Sequence, residues 1–154
     1  MPVIRCLAAG ALYFALVFGT GFVLGTIRIP FLVPRLGVRV AELLEMPFML
    51  VAIMLAARIV ARRSDLPETT PVRLFVGLVA LAFLVLAELA LAAMLQNESV
   101  GDYVASRDPV SGSVYIAMLI LFALMPLILA RVRRRRATGT GVAGLGARRS
   151  ATEK

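Results

Sequence analysis

Four apolar stretches constrain this chain more than any other feature. They lie at about residues 6–27, 40–61, 72–95 and 113–130. An α-helix of ~20 residues crosses a hydrocarbon core of ~30 Å. Inside lipid the backbone must satisfy its own hydrogen bonds, which a helix does within one segment. The sequence therefore predicts an all-α, integral membrane four-helix bundle.

Composition agrees with a protein that uses lipid as its solvent. Hydrophobic residues make up 60% of the 154 residues, and the mean hydropathy is +0.91. A soluble domain of this length has too small a core to bury so much apolar surface. The net charge is +8, but the basic residues lie between and after the apolar stretches. This placement indicates membrane topology and attraction to anionic lipid headgroups, and it argues against a nucleic-acid partner.

The distribution of basic residues predicts the orientation. With the N-terminus inside, thirteen Arg and Lys residues lie on the inner side and four on the outer side. Basic residues concentrate in cytoplasmic loops. The sequence therefore predicts that both termini are cytoplasmic.

Two regions differ in character. Residues 1–131 form the predicted transmembrane domain. Residues 132–154 form a basic tail that opens with four consecutive arginines, 133–136, and continues with many Gly, Ala and Thr residues. Such a composition has too little apolar surface to fold, so we expect a disordered cytoplasmic tail whose arginines bind anionic headgroups.

Missing residue types exclude several kinds of chemistry. The chain has no His and one Cys, so it has no histidine-ligated metal or haem and no internal disulfide. We predict no cofactor, no metal and no catalytic residue, and a buried, inert Cys6. Because the chain has no Trp, Tyr13, Tyr103 and Tyr115 are the aromatic candidates for the membrane interfaces.

Small residues on the first stretch predict close helix packing. Gly21 and Gly25 have G-x-x-x-G spacing, and Ala11, Ala15 and Gly19 have small-xxx-small spacing. Gly19 and Gly21 differ by about 200° around a helix, so the two sets face different ways. Both faces pack within the chain, or one of them packs against a second subunit.

Glu88 is the one acidic residue deep inside an apolar stretch. It lies roughly 10 Å from the outer end of its predicted helix. A carboxylate there is costly, so it should be neutral, paired or exposed to water. Its neighbours on the same helix face are apolar, so any partner must come from another helix. Glu88 is either a functional site for protons, cations or a ligand, or a hydrogen-bonded residue that fixes the helix register.

The first outer loop and the start of the second stretch concentrate charge. The charged residues are Arg28, Arg35, Arg39, Glu42 and Glu45. Three arginines on the outer side oppose the general trend, so we expect local acids to neutralise them. The region is either a membrane-hugging loop tied by ion pairs, or an arginine-lined pocket for a phosphate or carboxylate headgroup.

The second outer loop is predicted to contain a short interfacial helix at 99–107. Val100, Tyr103 and Val104 have helical spacing there, after a capping pair formed by Ser99 and Asp102. Together the two outer loops would cover a shallow cavity above Glu88.

Three strings carry a resemblance to a known family. They are GTIRIPFLVPRLG at 25–37, AELLEMP at 41–47 and SRDPVSGSVY at 106–115. In these strings the chain resembles a family of small, uncharacterised bacterial inner-membrane proteins with four predicted transmembrane helices. The resemblance covers most of 1–131. It implies a multi-pass protein of the bacterial inner membrane, and it implies no activity, substrate or cofactor.

Three functions remain open at this stage. The first, which the sequence favours, is an accessory or structural component of a larger membrane assembly. The second is a small oligomeric channel or transporter that uses Glu88. The third is a protein or enzyme that binds lipid headgroups at the outer surface. An enzyme is disfavoured because the sequence shows no nucleophile together with a base.

Overall fold

The computed structural model describes residues 2–64, 66–67, 69–95 and 109–152, which are helical apart from a short connection after Arg63. The elements are α1 (Pro2–Ile27), a π-helical turn (Arg28–Leu32), α2 (Val33–Arg63), α3 (Thr70–Leu95) and α4 (Pro109–Thr152). No strand occurs in this part of the chain, so the all-α prediction is confirmed. The short helix predicted at 99–107 lies outside the described residues.

Three helical segments of the described chain are long and apolar enough to cross a membrane. They are Val3–Arg63, Thr70–Leu91 and Gly112–Arg134. The sequence predicted four separate segments, because it placed a loop between the first two stretches. That loop is instead helical. Pro30, which lacks an amide hydrogen, falls in the π-helical turn. Pro34 lies in the first turn of α2, where an amide donor would have no intrahelical acceptor in any case.

The segment Val3–Arg63 folds back on itself at Gly37. This residue has φ 77° and ψ 162°, a conformation that is essentially restricted to glycine. Arg28 Nη1 lies 3.0 Å from Glu45 Oε2, whereas seventeen residues of straight helix would separate them by about 25 Å. Helices α1 and α2 are therefore antiparallel neighbours.

The helices do not follow one another around the bundle. Helix α1 packs against α2 and α3, and α4 packs against the same two helices. This arrangement puts α1 and α4 at opposite corners, and likewise α2 and α3. Gly10 approaches Val79, and the ring of Phe14 lies 5.9 Å from that of Phe83. In both contacts the residue of α3 follows the residue of α1 by the same number of positions in the sequence. Helices α1 and α3 are therefore parallel.

Glycines mark the closest helix contacts, but they are not the glycines that the sequence singled out. A Cβ on Gly10 would lie 2.7 Å from Val79 Cγ1, and a Cβ on Gly77 would overlap the carbonyl oxygen of Ala123 in α4. Of the predicted packing residues, Gly21 contacts α2, because its Cβ position lies 3.3 Å from Met49 Cε. Nothing lies within 4 Å of the Cβ positions of Gly19 and Gly25.

Tyr13 fills the centre of the bundle, which shows that its predicted place at a membrane interface is wrong. It is fully buried and reaches from α1 to α4, where its ring stacks on Phe122 at 4.5 Å. Its hydroxyl donates to the Phe122 carbonyl at 3.0 Å. In a regular helix that carbonyl would accept from residue 126, which here is Pro126 and has no amide hydrogen. Tyr13 therefore replaces a hydrogen bond that the proline removes.

The described residues of the connection after Arg63 lie between the end of α2 and the start of α3, which stand at opposite corners of the bundle. Leu66 is buried there as part of the core, and so is the side chain of Arg73, at 2% exposure. Arg73 Nη2 donates to the Leu66 carbonyl at 3.2 Å. Arg73 is one of the thirteen basic residues that the sequence places on the inner side, and nothing along the chain predicts its burial. Cys6 is buried in the same half of the bundle, as predicted.

Helix α4 is longer than predicted at both ends. It begins at Pro109 and continues to Thr152, through the tail for which we expected disorder. Extending an existing helix needs no new nucleus, and the arginines and alanines of the tail are good helix formers, while its four glycines between 137 and 146 oppose the helix. The composition argument considered the tail by itself and so ignored this propagation.

Candidate functional site

A cavity of about 540 Å³ opens between the helices at the end of the bundle that contains the Gly37 reversal. Its walls are mainly apolar, with aromatic and methionine side chains from three helices. Among them are Phe18, Phe22, Met46, Met49, Met118 and Phe122. Its charged lining residues are Arg28, Glu42, Glu45 and Glu88. Polar groups thus lie on an otherwise apolar surface.

Arg28 and two glutamates form the charged group on the α1–α2 side of the cavity. Arg28 Nη1 lies 3.0 Å from Glu45 Oε2 and 3.8 Å from Glu42 Oε1. The three side chains are largely withdrawn from solvent, at 25% exposure for Arg28, 17% for Glu42 and 13% for Glu45. The reversal at Gly37 brings these residues together, since it folds the first turns of α2 back against the end of α1. The expected neutralisation by local acids is confirmed for Arg28.

Glu88 and Tyr115 form the polar pair on the α3–α4 side. The Tyr115 hydroxyl donates a hydrogen bond to Glu88 Oε2, and both side chains are half-buried. Because α3 and α4 are antiparallel, a residue near the end of α3 meets one near the start of α4. The prediction that the partner of Glu88 comes from another helix is confirmed. Sequence reasoning missed Tyr115 in this role, because the chain alone does not show which helix faces Glu88.

The structure thus brings two separately predicted groups onto one cavity. Sequence reasoning named Glu88 and the outer charged residues as separate candidates, although it expected the outer loops to cover a cavity above Glu88. Arg28, Glu42 and Glu45 line the same cavity as Glu88. Arg35 and Arg39 are exposed and do not line it. Gly21 and Gly25 belong to the lining as well, and Gly25 leaves open space where a side chain would stand.

The lining has more acids than bases. Among the residues that the structure describes, three carboxyl groups and one guanidinium border the cavity, and the guanidinium already contacts two of the carboxylates. Within the described residues, no three acidic or cysteine side chains are grouped closely enough to hold a metal ion. An apolar cavity of this size with a few polar groups is suited to a small organic molecule.

The cavity does not continue through the chain. A second, smaller cavity of about 390 Å³ lies near the opposite end, beside Arg5 and Arg63. Between the two, Tyr13 and Phe122 stack at the centre of the core, and Val17 packs beside them. This core closes the path between the two cavities.

Comparison with protein-family models, with curated proteins and with solved structures finds no match for this chain. The family resemblance of the three strings therefore stays a prediction.

Proposed function

We propose that this chain is a multi-pass integral membrane protein that binds a small amphiphilic molecule in the cavity between its four helices. The observation that carries the proposal is the convergence of Glu88 and the Arg28 group on one mainly apolar cavity. A molecule with an apolar body and a polar head would satisfy both parts of that lining.

The outward surface supports a membrane location. Large apolar side chains are exposed on every helix: Val23 at 56%, Phe48 at 62%, Leu86 at 63% and Ile116 at 59%. Exposure of so much apolar surface to water is unfavourable, whereas its contact with the apolar chains of lipids is not.

Hydroxyl groups on the same surface bond to their own helix. Thr20 donates to the Leu16 carbonyl and Ser113 to the Val110 carbonyl, each at 2.8 Å. This pattern is what an exposed hydroxyl needs where no water is present.

Four membrane passes are part of the proposal. The reversal at Gly37 makes two antiparallel helices of the segment Val3–Arg63, and α3 and α4 supply one pass each. The basic residues favour cytoplasmic termini, and the family resemblance favours a bacterial inner membrane. A reporter fused after Arg136 tests this orientation, since activity on the outer side would contradict it.

Native mass spectrometry of the purified protein tests the binding function. Gly25→Leu places a side chain in the cavity, and Gly19→Leu is the matched control on the outward face of the same helix. Neither position has an atom within 4 Å of its Cβ, so neither leucine starts with a clash. We expect a bound small molecule on the wild type and on Gly19→Leu, and its loss from Gly25→Leu. The same spectrum for all three proteins would contradict the proposal.

Transport through Glu88 is the second candidate, and one observation supports it: Glu88 lies on the cavity rather than in a packed interface. Transport also requires the core at Tyr13 to open or several chains to assemble. Proton or cation flux in proteoliposomes separates it from simple binding, with Glu88→Gln as the comparison. The accessory role that the sequence favours stays a prediction, tested by affinity purification from native membranes.

A further inference from the structure

We propose that the ligand of this cavity is a cationic amphiphile, with one positively charged head such as an ammonium group on an apolar body. This inference rests on the proposed binding function and names the chemical class of the ligand. Its basis is a comparison of the described charged side chains of the lining that have a partner of opposite charge with those that do not.

The carboxylates are in excess. Arg28 contacts both Glu45 and Glu42, so one guanidinium serves two acids. On the other side of the cavity, Glu88 accepts a hydrogen bond from the hydroxyl of Tyr115, which carries no charge. A carboxylate withdrawn from water is stabilised most by a cation, because desolvation removes the screening that water provides. A bound cation would supply the positive charge that these residues lack.

The walls also favour a cation with an apolar body. Phe18, Phe22 and Phe122 present aromatic surface to the cavity, and Met46, Met49 and Met118 present flexible thioether side chains. Aromatic faces attract cations, and methionine adapts to apolar ligands of different shape. A volume of about 540 Å³ is far larger than a metal ion needs and falls within the range for drug-sized molecules.

An anionic head is disfavoured at the same place. Arg28 is the basic residue among the described residues of the lining, and Glu42 and Glu45 lie against it. A phosphate or carboxylate that approached Arg28 would meet both carboxylates at close range. Such a like-charge juxtaposition is repulsive, and it opposes the arginine-lined headgroup pocket that the sequence left open.

Binding of two ions of the same shape and opposite charge tests the inference. Tetraphenylphosphonium and tetraphenylborate are measured by equilibrium dialysis with the full chain in nanodiscs, and empty nanodiscs give the lipid background. The variants are Glu88→Gln, which removes a charge, Gly25→Leu, which fills the cavity, and Gly19→Leu as the outward-facing control. Thermal unfolding of each variant shows whether it is folded.

We expect saturable binding of tetraphenylphosphonium and none of tetraphenylborate. Glu88→Gln should weaken cation binding by about tenfold or more, because a partly desolvated charge pair is lost. Gly25→Leu should abolish binding, and Gly19→Leu should leave it unchanged.

Two results would overturn the inference in different ways. Saturable binding that depends on Gly25 but shows no preference for the cation would refute the charge argument and leave the binding function standing. Binding of neither ion beyond the empty nanodiscs, in a folded wild-type protein, would refute both. A folded Glu88→Gln variant with unchanged cation affinity would also refute the charge argument.

Lipid composition distinguishes two sources of such a ligand. If the head belongs to a membrane-borne amine, a long-chain amine without phosphate, such as sphingosine, incorporated in the nanodisc should compete and raise the apparent Kd of tetraphenylphosphonium. If the ligand is a free lipophilic amine, the Kd should be the same with and without sphingosine, and a soluble amine such as benzyltributylammonium should compete instead. A lack of competition in both arms would contradict an ammonium head.

Discussion

The two halves of this bundle have the same kind of sequence and opposite packing. In the half that contains Gly10, Tyr13 and Gly77, helices touch so closely that an added methyl group would overlap a neighbour. In the half that contains Gly25 and Glu88, the helices leave a cavity of about 540 Å³ between them, whereas the smaller cavity of about 390 Å³ in the other half lies at its far end, beside Arg5 and Arg63. Similar apolar residues line both halves, so hydrophobicity does not set the difference.

The difference in packing between the two halves comes instead from backbone geometry and charge. The closed half is held by glycines at helix contacts, whereas the open half is held by a reversal at Gly37 and by the contacts of Arg28 with Glu42 and Glu45. Close packing drives helix association in lipid. Where the helices are not closely packed, there is space for a ligand, and a few polar contacts hold the helices in place.

The largest expected effect is that of Gly77→Ala in the closed half. The new methyl group would overlap the backbone carbonyl of Ala123, which cannot move without shifting α4. We expect a loss of about 3 kcal/mol in the free energy of unfolding, the upper part of the range for overpacking. Unfolding by sodium dodecyl sulfate in mixed micelles measures it.

Gly25→Ala is the matched control for this comparison, because its methyl group would enter open space. Alanine is also the better helix former by about 1 kcal/mol, so this variant should be as stable as the wild type or slightly more stable. Equal losses for the two variants would show that the halves do not differ in packing.

The next largest effect is expected from Gly37→Ala. The residue has φ 77° and ψ 162°, which a side chain strains even though nothing lies within 4 Å of the Cβ position. We expect a loss of about 2 kcal/mol from backbone strain alone. The same unfolding titration measures it. An unchanged midpoint would mean that the chain reverses without a positive φ.

A smaller effect is expected from Arg28→Gln at the cavity. The substitution leaves Glu45 and Glu42 next to each other without their shared cation. We expect a loss of about 1–2 kcal/mol, below the value for a fully buried pair because these side chains are partly exposed.

A second substitution separates charge from shape at the same place. Adding Glu45→Gln to Arg28→Gln should recover part of the loss, since it removes a carboxylate that has lost its partner. Arg35→Gln is the control, because Arg35 is exposed and lies outside the cavity lining. If Arg35→Gln lowered the free energy of unfolding as much as Arg28→Gln does, the effect would come from the total charge at this end of the bundle and not from the contacts of Arg28.

The sequence was enough to predict where the helices lie along the chain, but not which helices pack against each other. The apolar stretches identify the helices, because the need for internal hydrogen bonds in lipid is local. The point of reversal was missed, since Pro30 and Pro34 suggest a loop and only the backbone angles single out Gly37. Gly10 and Gly77 were missed because a glycine matters only opposite another helix, and the order of helices around the bundle is not local.

The charged residues of the candidate site could be predicted from the sequence, but their partners on other helices could not. Glu88 stands out because a carboxylate in an apolar stretch is costly. That it meets Tyr115 follows only once α3 and α4 are known to be antiparallel. Arg28 pairs with Glu45 because the two residues lie at nearly equal distances along the chain from Gly37, which matters only if the chain reverses there.

The smallest effect is expected at the boundary between the halves, where Tyr13→Phe removes one hydroxyl. The loss should be about 1 kcal/mol, the usual net value of one hydrogen bond, because the ring still stacks on Phe122. The Phe122 carbonyl needs this donor only because Pro126 lacks an amide hydrogen. With Pro126→Ala, the helix itself can supply that donor, so Tyr13→Phe should then cost much less. A double-mutant cycle by unfolding titration measures this coupling, and equal costs in the two backgrounds would show that the tyrosine closes the bundle by its ring alone.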